Sequence, residues 1–489
     1  MKYILTPIKP IPALISIALT LSIWFIIPIP KGVTPNAWHL LALFVGTIAA
    51  IIGKALPIGA ISIVAIALVA LTEVTNPGNP SGALADSLSG FSNDLIWLIG
   101  ISVMISISLS KTGLGSRIGY FFISLVGKKT LGIAYALGIA ETILAPVTPS
   151  NTARGGGIIH PVMKSIADSF GSKPERGSTE KVGRYLALVN YNINPITSAM
   201  FITATAPNPL IVSLIFEDSQ FQITWGMWAI AALLPALFSL FIIPLVIYLI
   251  YPPEIKKTPD APQFARKKLS ELGPISLPEK ITMGVFTILL FLWAGIPALI
   301  LGSEFAVPPT VAAFIGLAIL LVTGVLSWDD ILSNKGSWDT ITWFAALVMM
   351  AGFLGKLGLV SWLAQTVGHG IDDLGLSWIS ATSILLLIYV FSHYFFASTT
   401  AHITAMFGAF YVAGIALQAP PMLWALILGF SSSLMMSLTH YGTGTAPIIF
   451  GSGYTTLGEW WKTGFITCII NLIIWIFVGG LWWKFLGYW

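Results

Sequence analysis

The sequence predicts an all-α polytopic membrane protein made of two inverted halves. Only 9% of its 489 residues are charged, against roughly 25% in a typical soluble domain. Long windows contain no Asp, Glu, Lys or Arg, at residues 10–30, 185–216, 219–253, 281–303, 305–328 and 374–458. Short motifs from the first half of the chain also recur, in the same order, in the second half.

The uncharged windows predict about eleven membrane crossings and two re-entrant hairpins. A transmembrane helix needs about 20 apolar residues, and unpaired backbone groups are too costly in lipid for irregular chain. The crossings are predicted near residues 11–29, 37–53, 55–72, 92–110, 184–215, 224–250, 279–301, 307–326, 340–356, 421–454 and 463–486. The crossings at 184–215 and 421–454 are broken. The hairpins pair the half-length segments 131–148 with 153–168, and 378–396 with 399–417.

Three matched motifs relate the two halves. Ser-Asn-Thr-Ala at 150–153 corresponds to Ser-Thr-Thr-Ala at 398–401, and Gly113 corresponds to Gly358. Thr-Ala-Thr-Ala-Pro at 203–207 corresponds to Thr-Gly-Thr-Ala-Pro at 443–447. The separations are 248, 245 and 240 positions. Because an odd number of crossings lies between the copies, the copies have opposite orientations. Inverted repeats of this kind are typical of transporters whose site lies at the repeat interface.

The first of these motifs predicts an anion site at the tip of each hairpin. Pro146 and Pro149 end one helix, and three strong capping residues then begin another. A helix start inside the membrane has free N–H groups and a partial positive charge, which favour anions. The second hairpin repeats the pattern without the prolines. The predicted binding residues are Ser150, Asn151, Thr152, Ser398, Thr399 and Thr400. The alternative is that these clusters merely hold helices together.

The broken crossings are predicted to supply the other walls of the site. Each contains Ala-Pro preceded by small residues, and proline frees a carbonyl one turn back. Unwound backbone at membrane depth is tolerated where it lines a cavity or packs in protein. Thr205 and Thr445 are therefore predicted to contact a bound guest. The alternative is an ordinary proline kink.

Two cationic or cationisable residues follow the tips at equivalent positions, Arg154 and His402. A charge at membrane depth costs roughly 2.5–3.5 kcal/mol and usually serves a function. Two such groups beside two helix starts predict a doubly negative guest. The alternative for Arg154 is an ion pair with Glu141 across the hairpin. Glu141 could also act as a proton relay. The alternative for His402 is a packing role. His393 and His440 have no repeat match and are interpreted as structural.

The basic loops predict the orientation of the chain in the membrane. Lys and Arg cluster at residues 173–184 and 256–280, whereas the loop between them contains Glu217 and Asp218 and neither Lys nor Arg. Basic loops face the cytoplasm. This places the N-terminus in the cytoplasm and the C-terminus outside, in the inner (plasma) membrane of the cell. Residues 1–30 lack a cleavage site for a signal peptide and are interpreted as the first helix.

Several function classes are excluded by composition and motif. The net charge of +4 is spread over short loops, which indicates loop bias rather than nucleic-acid binding. A single cysteine, Cys468, provides no disulfide framework. The sequence contains no H-E-x-x-H, G-x-S-x-G or G-x-x-x-x-G-K-[ST] pattern. No enzyme activity, cofactor or metal site is predicted.

The runs at 145–154 and 396–402 resemble the divalent anion:sodium symporter family of INDY-type dicarboxylate transporters. The resemblance covers nearly the whole chain. It is strongest to the exchanger branch, which includes bacterial citrate/succinate antiporters and plastid 2-oxoglutarate/malate translocators. It implies eleven helices, two opposed hairpins, a homodimer and an elevator motion of a transport domain against a scaffold. It also implies that the two hairpin tips contact the substrate carboxylates.

The resemblance further implies a division of the chain. Residues 1–90 and 224–339 would be scaffold, the latter with a cytoplasmic loop at 251–278. The first half of the transport domain would be 91–223, with hairpin 130–169 and broken helix 184–215. Its second half would be 340–462, with hairpin 378–417 and broken helix 421–454. Residues 463–489 would form a C-terminal helix.

One departure from the family pattern suggests the transport mode. Sodium-coupled members carry Ser-Asn-Thr at both tips, whereas here the second tip is Ser-Thr-Thr. Arg154 and His402 bring positive charge to about where sodium would bind. The hypothesis is exchange of small dicarboxylate anions of the C4/C5 class (2-oxoglutarate, malate, succinate, fumarate) across the lipid bilayer. The alternative is sodium- or proton-coupled symport of a dicarboxylate or citrate.

Overall fold

The computed structural model describes residues 8–219, 221–359, 361–362, 366 and 377–489. In the first half, α-helices lie at Pro10–Leu21, Pro35–Gly53, Ile58–Thr72, Pro80–Leu88, Asp94–Thr112, Leu114–Val126, Thr130–Leu144, His160–Ser169, Gly183–Met200, Pro207–Ser219 and Trp225–Ile250. Short 3-10 segments lie at Ser89–Ser92, Ala145–Val147, Pro174–Arg176 and Ile202–Ala204, and π-helical segments lie at Ser22–Ile26 and Thr152–Ile159.

In the second half, as in the first, a hairpin is followed by a broken helix. Its α-helices lie at Ala261–Glu271, Leu277–Trp293, Ile296–Leu301, Pro309–Val322, Trp328–Leu332, Lys335–Lys356, Trp378–Phe391, Thr399–Ala416, Pro421–Leu434, Thr445–Gly451, Leu457–Ile474 and Gly480–Phe485. The 3-10 segments are Ser303–Phe305, Ser392–Phe395 and Met435–Leu438, and a π-helical segment is Trp475–Gly479.

The predicted all-α membrane fold is confirmed. Within the described ranges, nine helices are long and apolar enough to cross a membrane, and no strand is present. Shorter apolar helices, among them Ile58–Thr72 and Pro309–Val322, lie where further crossings are predicted. The parts of the predicted divisions 1–90, 91–223 and 340–462 that fall on 1–7, 220, 360, 363–365 and 367–376 lie outside the described residues.

The glycine landmarks adopt the same conformation in both halves. Gly113 follows helix Asp94–Thr112 with a φ of 78°, and Gly358 follows helix Lys335–Lys356 with a φ of 84°. Only glycine adopts this left-handed conformation at no steric cost, and it commonly ends helices. The two landmarks therefore end equivalent helices, as expected for a repeat.

Four α-helices lie where no helix is predicted, and two of them, Pro80–Leu88 and Trp328–Leu332, are short. Leu114–Val126 precedes the first hairpin. Ala261–Glu271 lies inside the predicted loop 251–278 and packs against Leu114–Val126. Both contain charged residues, so a search for uncharged windows misses them. Arg117 on the first of these helices contacts Glu279 at 2.5 Å. The polar linker between the halves is therefore partly helical and is fastened to the body of the protein.

Helix Gly183–Met200 is the centre of the fold. All of its residues are buried except Arg184, although many of them are polar. It packs against Thr130–Leu144 of the first hairpin, against Trp225–Ile250 and against Pro421–Leu434. A helix surrounded by protein can present polar groups to its neighbours that lipid would not tolerate. This helix therefore provides the polar support on which the first hairpin tip rests.

Candidate functional site

The first hairpin tip is a capped helix start. After the 3-10 turn Ala145–Val147 the chain has no regular structure over residues 148–150, and Ser150 then caps the returning helix. The Ser150 hydroxyl accepts a hydrogen bond from the backbone N–H of Ala153 at 3.1 Å, and the backbone N–H of Arg154 donates to the Ser150 carbonyl at 2.9 Å. The first turns, Thr152–Ile159, are π-helical, a conformation frequent at functional sites.

The second tip repeats this geometry at the equivalent positions. The Ser398 hydroxyl accepts from the backbone N–H of Ala401 at 3.4 Å, and the backbone N–H of His402 donates to the Ser398 carbonyl at 3.1 Å. The helix that follows, Thr399–Ala416, is α-helical from its start. The capping predicted for both serines is therefore present in the structure.

Both tips line one cavity of about 430 Å³. Its lining residues come from both halves of the chain. Seven of the predicted residues lie in its wall: Ser150, Asn151, Thr152, Thr205, Ser398, Thr399 and Thr400. No Asp, Glu, Lys, Arg or His is among its described lining residues. The groups available to a guest are therefore hydroxyls, amides and the backbone N–H groups of two helix starts.

Three predicted residues do not line the cavity: Arg154, His402 and Thr445. Thr445 is fully buried, and the threonine of its motif that reaches the cavity is Thr443. In the first half the order is reversed, because Thr205 lines the cavity and Thr203 is buried. The two broken segments thus follow different paths past the tips, so that equivalent positions of the motif do not both line the cavity.

The second broken segment contacts both tips. Asn151 Nδ2 donates to Thr443 Oγ1 at 2.9 Å, and Thr399 Oγ1 donates to the carbonyl of Gly442 at 3.1 Å. Thr443 is not among the predicted binding residues, although it lies in the matched motif. Three further lining residues that the sequence does not predict lie on helices outside the two hairpins and the broken segments, namely Val103, Gly336 and Thr340.

Arg154 lies behind the first tip, fully buried. Its Nη1 donates to the carbonyls of Thr148 and Ala204, both at 2.8 Å. Its Nη2 donates to Ser198 Oγ at 3.0 Å and to Thr197 Oγ1 at 3.4 Å. The guanidinium therefore joins the irregular segment before the tip, the first broken segment and the central helix.

The charge of Arg154 is balanced within the protein. Its Nε lies 3.5 Å from Glu141 Oε1, and Glu141 is also buried. Asn194 Nδ2 donates to the same carboxylate oxygen at 2.6 Å, and Thr197 Oγ1 donates to it at 3.1 Å. The structure thus shows the pairing of Arg154 with Glu141 across the hairpin that the sequence offers as the alternative.

His402 is likewise buried behind the second tip. Its ring stacks on Tyr389 at 4.7 Å and lies 4.6 Å from Phe396, measured between ring centroids. Its Nε2 lies 3.0 Å from Ser392 Oγ, and among the described residues its Nδ1 has no hydrogen-bond partner. The imidazole therefore supports the tip from behind, as the packing alternative has it.

Comparison with known proteins shows the family of the chain. The sodium:sulfate symporter transmembrane region matches residues 9–489. The chain belongs to the sodium:sulfate symporter family. The resemblance to divalent anion:sodium symporters, predicted from the two tip motifs, is thereby confirmed at the family level.

Relatives in the symporter family extend over the whole chain. The putative malate transporter YflS of Bacillus subtilis is 51% identical over 482 residues, which is 99% of this chain and 98% of that protein. Dicarboxylate transporter 1, chloroplastic, of Arabidopsis thaliana is 44% identical over 478 residues, 98% of this chain and 83% of that protein. The chain is thus similar to transporters along its full length.

Solved structures share the fold of this symporter family member at low sequence identity. The YdaH transporter of Alcanivorax borkumensis has a TM-score of 0.54 and 12% identity, covering 91% of this chain and 98% of that one. MtrF of Neisseria gonorrhoeae has a TM-score of 0.53 and 12% identity, covering 89% and 97%. At this identity the likeness concerns the fold alone.

The close approach of Gly444 to the first tip gives a testable expectation. A Cβ added at Gly444 would lie 2.5 Å from Thr152 Oγ1, so Gly444→Ala should displace this side chain and narrow the cavity. We expect about a tenfold weaker apparent affinity for the transported anion, as one lost charge-assisted hydrogen bond would give. Half-saturation of transport in proteoliposomes measures this. Gly451→Ala is the matched control, because its Cβ would meet nothing within 4 Å; equal behaviour of the two variants would contradict the expectation.

Proposed function

We propose that this protein exchanges C4/C5 dicarboxylates, such as malate, succinate, fumarate and 2-oxoglutarate, across the plasma membrane by an elevator motion. The observation that carries the proposal is the single cavity lined by both hairpin tips. Two capped helix starts provide donors for two carboxylates, and the volume of about 430 Å³ suits a small guest. The names of the malate and dicarboxylate relatives support the substrate class.

The surroundings of Arg154 support transport without a coupling cation at the first tip. The guanidinium contacts the carbonyl oxygens of Thr148 and Ala204, the hydroxyl of Ser198 and the carboxylate of Glu141. Carbonyl, hydroxyl and carboxylate oxygens are the ligands that hard cations take. Because the arginine already occupies this cluster of oxygens, the first tip is complete without a mobile ion. His402 fills the corresponding place behind the second tip.

Exchange rather than net uptake follows from the donors at the tips. With the site empty, the Asn151 amide and the Thr399 hydroxyl keep their partners within the protein, whereas the free N–H groups of both helix starts would pass the scaffold without the partners that a dianion provides. Burying such groups without hydrogen bonds is costly. With a dianion bound, the donors are paired and the passage is favourable. The carrier would therefore return loaded, which is counter-exchange.

The remaining parts of the proposal concern assembly and orientation. The carrier would be a homodimer with a cytoplasmic N-terminus and an external C-terminus. The transport domain would contain the hairpins and broken helices, within 91–223 and 340–462. The scaffold would contain 1–90 and 224–339. The central position of helix Gly183–Met200 between hairpin and second broken helix supports grouping these elements in one moving unit.

Counterflow in sodium-free proteoliposomes tests the proposed function. Vesicles preloaded with unlabelled malate should accumulate radiolabelled succinate transiently, while empty vesicles should not. Adding sodium or collapsing a proton gradient should leave the initial rate unchanged. A panel of unlabelled acids then ranks the substrates, with citrate as the tricarboxylate comparison. Uptake into empty vesicles that requires sodium or a proton gradient would favour the symporter alternative.

A further inference from the structure

A second, open cavity adjoins the one between the tips. Its volume is about 750 Å³, and its wall includes residues near the starts of helices Ile58–Thr72 and Lys335–Lys356. Gly336 lines both cavities. Gly336, in the first turn of helix Lys335–Lys356, is therefore part of the wall of both spaces.

The two charged side chains of the outer cavity have different surroundings. Two charged residues line it, Lys335 and Asp339. The Asp339 carboxylate lies against the start of helix Ile58–Thr72, because a Cβ added at Gly59 would lie 2.1 Å from Asp339 Oδ1. Lys335 is exposed and has no ion-pair partner among the described residues. Its ammonium is therefore free to attract an anion.

We propose that Lys335 captures the incoming dicarboxylate at the mouth of the site and raises its local concentration beside Gly336. The proposal rests on the function proposed above. The inner cavity has no charged side chain in its described wall, so the tips act by short-range hydrogen bonds. A cation at the mouth supplies the long-range attraction that hydroxyls lack. Capture is thus separated from tight binding, and the lysine does not travel with the guest.

Substitution of Lys335 combined with ionic strength tests this division. We expect Lys335→Gln to raise the half-saturating succinate concentration for counterflow about fourfold at low salt, the size expected for a unit charge acting on a dianion across roughly 10 Å of water. The maximal rate should not change, because the tips are intact. At about 1 M salt, where the screening length falls to about 3 Å, wild type and variant should coincide. The monoanionic monomethyl ester of succinate serves as a competitor. For this monoanion, Lys335→Gln should lower the logarithm of the potency by only about half as much as it does for succinate.

Two further variants complete the test. Lys335→Arg should retain the wild-type behaviour, and Lys335→Glu should exceed the effect of Lys335→Gln. Lys128→Gln is the matched control, since Lys128 is an exposed lysine in neither cavity wall. If Lys335→Gln matches Lys128→Gln while the wild type exchanges dicarboxylates, capture by Lys335 is refuted and the proposed function stands. A wild type that exchanges no dicarboxylate refutes both, and a lowered maximal rate at unchanged half-saturation assigns Lys335 a structural role instead.

Discussion

Arg154→Ala is expected to abolish dicarboxylate exchange and to lower the free energy of unfolding by about 3 to 5 kcal/mol. The change removes the ion-pair partner of the buried Glu141 and leaves its carboxylate uncompensated. It also removes the donor shared by the carbonyls of Thr148 and Ala204, which holds the chain before the tip against the first broken segment. Counterflow in proteoliposomes and thermal unfolding in detergent measure the two effects.

A double variant separates the two roles of Arg154. In Glu141→Gln with Arg154→Met, no buried charge lacks a partner, and such paired replacements are often neutral for stability. We expect stability to return near the wild-type level while exchange stays lost, because the two carbonyls still lack their donor. Exchange restored in the double variant would show that the arginine only balances charge. Exchange retained in Arg154→Ala would contradict its role in holding the tip.

Sodium is a useful probe of the same variants. If the guanidinium occupies oxygens that could otherwise bind a cation, removing it exposes a carboxylate, a carbonyl and a hydroxyl to solvent ions. We therefore expect any residual exchange by Arg154→Ala to be stimulated by sodium, and the wild type to be indifferent. The double variant, which lacks the carboxylate, should respond less than Arg154→Ala does.

The tips could be predicted from the sequence because helix capping is a local property of the chain. Ser150 and Ser398 each cap the helix that follows, at positions that the motif alone identifies. The direction of the next side chains is not local in this sense. Arg154 and His402 lie at equivalent positions in both repeats, yet the helix turns them away from the cavity and into the protein. Their positions in the sequence therefore predict that Arg154 and His402 lie near the tips, but not whether their side chains point into the cavity.

The walls of the cavity were less predictable than its tips. Thr443 and Thr205 come from different positions of the same duplicated motif, because each broken segment follows its own path between neighbouring helices. Gly336 and Thr340 belong to helix Lys335–Lys356, whose sequence has no feature that distinguishes it from the other membrane-spanning helices. Only tertiary packing brings that helix against the tips. Composition likewise identified the long apolar helices but not Leu114–Val126, whose Arg117 interrupts the apolar run.

Asn151→Asp is expected to weaken dicarboxylate binding at least about a hundredfold. Asn151 lies in the cavity wall, and its Nδ2 donates to Thr443 Oγ1 at 2.9 Å and to Asn194 Oδ1 at 3.3 Å. A carboxylate has the same shape but cannot donate, so it would place an oxygen against the Asn194 oxygen. It would also face the guest with a like charge, which at 4 Å and an effective dielectric constant of 20 costs about 4 kcal/mol. Binding measured by calorimetry, alongside counterflow, checks this.

Asn151→Ala separates the charge from the lost hydrogen bonds. Truncation removes the same donor without adding a charge, so we expect a smaller loss, on the order of tenfold, consistent with one or two hydrogen bonds to neutral groups. Asn79→Asp is the control for the isosteric change, because Asn79 caps helix Pro80–Leu88 on the surface and aspartate caps equally well. If Asn151→Asp and Asn151→Ala weaken binding equally, the guest carries no negative charge near the first tip. That result would contradict the dianion site itself, because a carboxylate bound at this helix start must lie within reach of residue 151.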